Sequence, residues 1–197
     1  MKRLTVLVSG NGSNMQSVID AADNGILKGL VEVVLVISNN PSSYALKRAE
    51  NKNIKTVCME RKKFENEKSF NYSILKELQN VKTDIVCLAG YIRIVGQDIT
   101  DAYRKRILNI HPALLPKFGG KGMYGRHIHE AVINLKEKKS GATVHFADEN
   151  YDTGEIIIQQ EVEILENDTP QDLADRILNV EHQIYPKAIK KVIENLK

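Results

Sequence analysis

The sequence predicts an α/β domain: a doubly wound, mostly parallel sheet of about seven strands with helices on both faces. Three observations carry that prediction. Short β-branched runs alternate with amphipathic stretches, the mark of a parallel sheet covered by helices. A glycine-rich turn, Ser9-Gly10-Asn11-Gly12-Ser13-Asn14, separates the first such run from the first helical pattern. The chain has 197 residues, 42% apolar and 27% charged, which is enough to bury a single core and excludes disorder and fibres.

The first strand is read at Leu4–Val8. Val18, Ile19 and Ala22 then fall on one stripe of a helix that Gly25 would stop with a left-handed cap. A second strand spans Val31–Ser38, and the Asn39-Asn40-Pro41 turn leads to a helix over Tyr44–Asn51. Strand Ile54–Met59, helix Phe64–Leu78, and strands Ile85–Leu88 and Ile107–His111 follow, joined by right-handed connections. From Pro112 to Gly125 the texture changes, with two Pro and four Gly in a segment too long for an ordinary connection, so a functional loop is expected. A short helix near Ile128–Lys136 precedes strands Ala142–Phe146 and Ile156–Val162, which flank a polar turn from Ala147 to Gly154. Thr169-Pro170-Gln171-Asp172 reads as an N-cap, a first-turn proline and an acidic first turn, opening a last helix that Pro186 must kink or split.

A formal charge of +3 is too small to imply a polyanionic partner, and the basic clusters Arg61-Lys62-Lys63, Arg104-Lys105-Arg106 and Lys136–Lys139 lie among acids without interleaved aromatics. No nucleic-acid partner is expected. The longest apolar run, Val33–Ile37, is far short of the ~20 residues of a membrane helix, and no signal-peptide core follows Lys2 and Arg3. A cytoplasmic protein without a membrane partner is expected. Cys58 and Cys87 sit in or beside strand-like runs and are read as buried, reduced and inert.

Three constellations carry chemistry. The turn Ser9–Asn14 lets backbone N–H groups approach an anion at a helix N-terminus and suits a phosphate; the plainer reading is a tight turn needing glycine at positive φ. A monophosphate is favoured over a dinucleotide, since Met15 stands where the third glycine of a dinucleotide fingerprint belongs and the second strand ends in Ser38-Asn39-Asn40 without a carboxylate, which leaves a nicotinamide cofactor the weaker competitor. Asn109-Ile110-His111-Pro112 closes the fifth strand, where alternation puts Asn109 and His111 on one face, able to converge on one reacting atom. Asp148–Gly154 is a carboxylate-rich turn; a carboxylate brought near His111 would lift its pKa above ~6.5. That turn lacks the ligand alternation of a calcium loop, and His127 and His129 point to different sides of a helix with no third ligand, so no metal is expected. Glu181-His182 in the last helix is undecided by pattern.

The turn Ser9–Asn14, Leu88-Ala89-Gly90-Tyr91-Ile92-Arg93-Ile94, Asn109–Pro116, Gly141–Phe146, Asp152-Thr153-Gly154 and Glu181–Pro186, taken in order, resemble the phosphoribosylglycinamide formyltransferase family of folate-dependent enzymes. The resemblance covers nearly the whole chain. It implies one Rossmann-like formyltransferase domain over residues 1–197, with a phosphate- and nucleotide-binding half, 1–100, and a catalytic and folate-binding half, 101–197. It further implies formyl transfer from 10-formyltetrahydrofolate, as cosubstrate, to the amine of phosphoribosylglycinamide in purine biosynthesis, by a monomer or homodimer. Carried over by position, Gly12, Ser13 and Asn14 would hold the phosphate and Glu181 the ribose; Ile92, Arg93, Ile94 and Val95 would line the folate pocket, with Asp148 in the turn that closes over it. Asn109, His111 and Asp152 would be the catalytic trio, Asn109 and Asp152 also touching folate and Asp152 keeping His111 cationic.

The chain departs from the family in Ala113, in Gly119-Gly120 and in a longer Phe118–Arg126 segment, and a folate-contacting arginine of some members aligns with Glu67 or Lys68. The nearest alternative is a 10-formyltetrahydrofolate hydrolase, with water as acceptor. A non-catalytic phosphate-binding module would explain the glycine turn but not Asn109, His111 and Asp152.

Overall fold

Leu4, Val6 and Val8 of strand β1 (Lys2–Val8) pack into one hydrophobic core while Leu7 packs into a second, so both faces of this strand are covered. In the computed structural model, which describes residues 1–196, β1 pairs in parallel with β2 (Val31–Ser38) and β4 (Ile85–Leu88). Strands β3 (Lys55–Cys58) and β5 (Ile107–His111) extend the parallel run, and β6 (Lys139–Phe146) and β7 (Ile156–Glu163) close it antiparallel. The order is β3-β2-β1-β4-β5-β6-β7, as the doubly wound, mostly parallel reading requires. Winding reverses between β1 and β4, the place where open α/β sheets leave a crevice beyond their carboxyl ends.

Helices α1 (Ser13–Asn24), α2 (Tyr44–Glu50), α5 (Arg126–Asn134) and α6 (Pro170–Asn195) send Met15, Val18, Ala45, Ile128, Leu173 and Ile184 into the first core. Helices α3 (Glu67–Asn80) and α4 (Gln97–Ala102) send Phe70, Ile74 and Ile99 into the second. Thr169 caps α6 as its sequence suggests, accepting from the Asp172 N–H while the Asp172 carboxylate accepts from the Thr169 N–H at 2.9 Å.

Several expectations need correction. Helix α6 is not split at Pro186 but runs unbroken from Pro170 to Asn195. Leu173 and Ile177 before the proline and Ala188, Ile189 and Val192 after it are all buried, and this packing outweighs the ~3 kcal/mol that an interior proline costs. Gly25 does stop α1, but in an extended conformation (φ −111°) instead of a left-handed one. What requires glycine there is crowding, since a Cβ would lie 2.8 Å from Ala21 Cα. Helix α3 begins at Glu67, three residues later than its apolar pattern suggests, because Asn66 and Ser69 form a capping box. The short α4 and the 3₁₀ turn Arg61–Lys63 were not anticipated. Cys87 is buried and its thiol is pushed up to about 12 by that burial, but Cys58, at the end of the edge strand β3, is exposed.

Candidate active site

The carboxyl ends of β4 and β5 open into one cavity of about 710 Å³. The glycine turn that follows β1 reaches it through Asn14. Gly12 caps α1 at φ 76°, and a Cβ there would fall 2.5 Å from Ala45 Cβ, so this turn needs glycine both for its left-handed conformation and for the close approach of α2. The turn is held from below: Ser43 Oγ donates to the Gly10 carbonyl (2.7 Å), Asn40 Nδ2 to the Ser9 carbonyl (3.1 Å), and Ser9 Oγ to Asn39 Oδ1 (2.6 Å). The Ser38-Asn39-Asn40 end of β2 thus braces the turn. Asn14 lines the cavity, and its buried Oδ1 has no partner among the described residues.

Glu181 of α6 faces the same space and is 6% exposed. Burial pushes its carboxyl up to about 7, with the Asn14 side chain pulling the other way. Between about pH 4.5 and 7 the folded protein keeps a proton that the unfolded chain releases, so stability falls as pH rises through that window, by about 3 kcal/mol in all. Glu181→Gln is therefore expected to change stability little at pH 4 and to raise it at pH 8, read as urea unfolding midpoints at the two pH values.

Ile92, Arg93, Ile94 and Val95 form another wall after β4. Ile92 and Ile94 are 54% and 39% exposed, apolar surface open to an incoming ring, and the Ile92 N–H donates to Ser9 Oγ (3.1 Å), tying this wall to the glycine turn. Asp148 lines the cavity too, its carboxylate accepting from Thr153 Oγ1 (2.9 Å) and the Asn150 N–H (2.9 Å) to shape the turn. Gly154 ends that turn where a Cβ would meet the Phe146 carbonyl at 1.8 Å.

Asn109, His111 and Asp152 come together although 43 residues separate the first from the last. Asp152 Oδ1 lies 3.3 Å from Asn109 Nδ2 and 3.6 Å from His111 Nδ1, and its Oδ2 accepts the Gly120 N–H at 2.9 Å. Asp152 takes φ 57°, a left-handed conformation uncommon outside glycine, so the polypeptide holds this carboxylate in place at a local cost. Burial raises the Asp152 pKa, but the His145 and His111 imidazoles beside it and the Gly120 N–H that it accepts prevail and hold it below the usual 3.8.

His111 is 4% exposed, and its Nε2–H donates to the Phe118 carbonyl at 2.8 Å. The expectation that Asp152 lifts its pKa above the ordinary value is not met in this arrangement. Burial lowers the pKa below 6.5, outweighing Asp152 and the Phe118 carbonyl, and the neighbouring His145 adds to the lowering.

The sequence reading did not place His145 in this group. Its Nδ1–H donates to the Phe146 carbonyl (2.9 Å), leaving Nε2 to accept from Asn109 Nδ2 at 3.0 Å, and Nε2 lies 3.5 Å from Asp152 Oδ1. The antiparallel register that sets Asn109 opposite His145 creates the contact. Tyr91 and His129 also line the cavity, each with a buried polar atom, the Tyr91 hydroxyl and His129 Nδ1, that has no partner among the described residues.

The formyl transferase family model matches residues 2–189. The chain belongs to the formyl transferase family. Among its relatives, the phosphoribosylglycinamide formyltransferase of Bacillus subtilis is 35% identical over 98% of this chain and 95% of its own. The chloroplastic phosphoribosylglycinamide formyltransferase of Vigna unguiculata is 39% identical over 98% of this chain, which spans only 61% of that plant protein. The crystal structure of glycinamide ribonucleotide transformylase 1 from Symbiobacterium toebii superposes with a TM-score of 0.92 at 38% identity, over 99% of this chain and 89% of that one. Formyl transferases use 10-formyltetrahydrofolate as cosubstrate. The open apolar surface of Ile92 and Ile94 beside the Arg93 guanidinium fits such a ligand, which joins flat rings to carboxylates. Among the described residues no group of three His, Cys, Asp or Glu side chains is arranged to hold a metal, and no helix is long and apolar enough to cross a membrane.

Proposed function

We propose that this formyl transferase moves the formyl group of 10-formyltetrahydrofolate to the glycinamide amine of 5'-phosphoribosylglycinamide, releasing tetrahydrofolate. One observation carries the reading: a single cavity joins Asn14, at the end of a braced phosphate-type turn, to an apolar wall suited to a pterin-like ring and to an amide, an imidazole and a carboxylate. The names of the relatives support the same substrates. In this reading Gly12, Ser13 and Asn14 hold the phosphate, Glu181 the ribose, and Ile92–Val95 with Asp148 the folate; the domain works in the cytoplasm as a monomer or homodimer. Residues 1–100 then serve chiefly the phosphate and 101–197 the chemistry.

The residues divide the reaction between them. Attack of the neutral amine on the formyl carbon forms the new C–N bond and puts negative charge on the formyl oxygen. Asn109 Nδ2 is the donor for that charge. Its two hydrogens point to His145 and, at the longer 3.3 Å, to Asp152, and the second is the one the oxyanion takes over. Preorganised donors of this kind contribute about 10²–10³ in rate. Burial lowers the His111 pKa and so favours the neutral imidazole; with its Nε2–H held by the Phe118 carbonyl, the free lone pair is on Nδ1, and Nδ1 accepts the proton the amine loses. Asp152 stabilises the imidazolium so formed. His111 then returns the proton to the folate nitrogen as the C–N bond to folate breaks, leaving formamide product and tetrahydrofolate.

The test is a steady-state assay with 10-formyltetrahydrofolate, with and without phosphoribosylglycinamide, following tetrahydrofolate release by absorbance. Release that requires the amine supports the transferase. Release without it is the result expected of a hydrolase, and no release in either case that of a non-catalytic phosphate-binding module; either outcome overturns the proposal.

A further inference from the structure

Three cationic side chains line the catalytic cavity: Arg93, Lys121 and Arg126. Arg126 lies along α5, paired one turn on with Glu130 (2.7 Å) and 78% exposed at its side chain. Arg93 differs. Its side chain is 32% exposed, its guanidinium lies 5.4 Å from the centre of the Phe70 ring, and it stands between the two open isoleucines of the apolar wall. A stacked, partly buried guanidinium beside apolar surface is a receptor for a carboxylate attached to a flat ring. That position is already taken from within the protein, since Arg93 Nη2 donates to Glu67 Oε1 at 2.5 Å.

Glu67 is not committed to Arg93 alone. The same Oε1 accepts from Arg61 Nε at 2.8 Å, and Arg61 is itself fixed by donating through Nη1 to the Phe64 carbonyl at 2.8 Å. Two guanidiniums therefore share one carboxylate oxygen, leaving a net positive charge at the rim. Glu67, the first residue of α3 and 58% exposed at its side chain, can keep its bond to Arg61 while releasing Arg93.

We propose that Glu67 is an internal stand-in for a tail carboxylate of the folate cosubstrate, which must displace it from Arg93 on binding, with Arg61 as the holder that receives the displaced Glu67. The proposal rests on the folate reading of the Ile92–Val95 wall. It makes Glu67 and Arg61 determinants of how strongly the enzyme discriminates in favour of the acidic tail, apart from the chemistry at His111. Glu67 competes with the cosubstrate and Arg61 weakens the competitor, so their removal acts in opposite directions, a pattern that loss of local structure would not produce.

The test measures KM for 10-formyltetrahydrofolate and for an analogue truncated to the pteroyl amide, which lacks the glutamate. For the full donor, Glu67→Gln is expected to lower KM about two- to fivefold and Arg61→Met to raise it by a similar factor, the range of partly exposed ion pairs, with kcat little changed. The double variant should match Glu67→Gln, and the truncated donor should show neither effect. Unchanged KM in Glu67→Gln, or an equal change with the truncated donor, overturns the proposal. Calorimetry with 4-aminobenzoylglutamate against 4-aminobenzamide asks the same question without turnover. Tighter binding of the glutamate compound to Glu67→Gln is expected even if the wild-type protein transfers no formyl group, so failure of the functional reading and failure of this one are told apart.

Discussion

His111→Ala is expected to lower kcat for formyl transfer by about 10²–10⁴, or about 3–5 kcal/mol of barrier, while the ribonucleotide still binds. The imidazole is the one group of the trio able both to take a proton from the amine and to return it. Burial lowers its pKa, which favours the neutral, accepting form. The phosphate turn, braced by Ser43, Asn40 and Asn39, shares no hydrogen bond with His111, so phosphate affinity should survive. Steady-state kinetics with calorimetric titration of phosphoribosylglycinamide checks both halves. A fall in kcat of less than about tenfold would remove His111 from the proton path.

Asp152→Asn is the second large effect, expected at about 10²–10³ in kcat. An Asn side-chain oxygen can still accept the Gly120 N–H, so the glycine-rich loop keeps its anchor and what is lost is charge. The pH dependence identifies that charge. Asp152 raises the His111 pKa against the dominant effect of burial, so its removal lowers the pKa further. The accepting, neutral form of His111 then persists to lower pH, and the acid limb of the kcat profile should move toward lower pH even as the plateau falls. A limb that moves upward, or one that does not move, would separate Asp152 from His111.

The parallel half of the fold was legible because each strand is a short β-branched run set between turn residues, and burial on both faces leaves Leu4 through Val8 no choice of register that exposes them. The last helix was legible at its start, where Thr169, Pro170 and Asp172 carry a cap. At Pro186 the helix does not split: a proline's local cost is visible in sequence, and the packing that outweighs it is not. Helix α4, with six residues and only Ile99 buried, carries no periodic signal to find. In the site, Asn109 and His111 were found by strand alternation and Asp152 by the resemblance. His145 needed the β5–β6 register, although its place on the strand leading into the acidic turn was a usable sign. The direction of the His111 pKa was misjudged for a related reason: a nearby carboxylate can be inferred from a motif, while 4% exposure is a property of the folded molecule.

The most direct test of the account is a rapid-quench single turnover with donor carrying an isotopically labelled formyl group, excess enzyme and phosphoribosylglycinamide, the protein, the ribonucleotide and free formate each being read by mass spectrometry. Direct attack by the amine predicts that label leaves folate and enters the ribonucleotide at the same rate, with none on the protein at any time. Label accumulating on the protein, or appearing as formate, would contradict it.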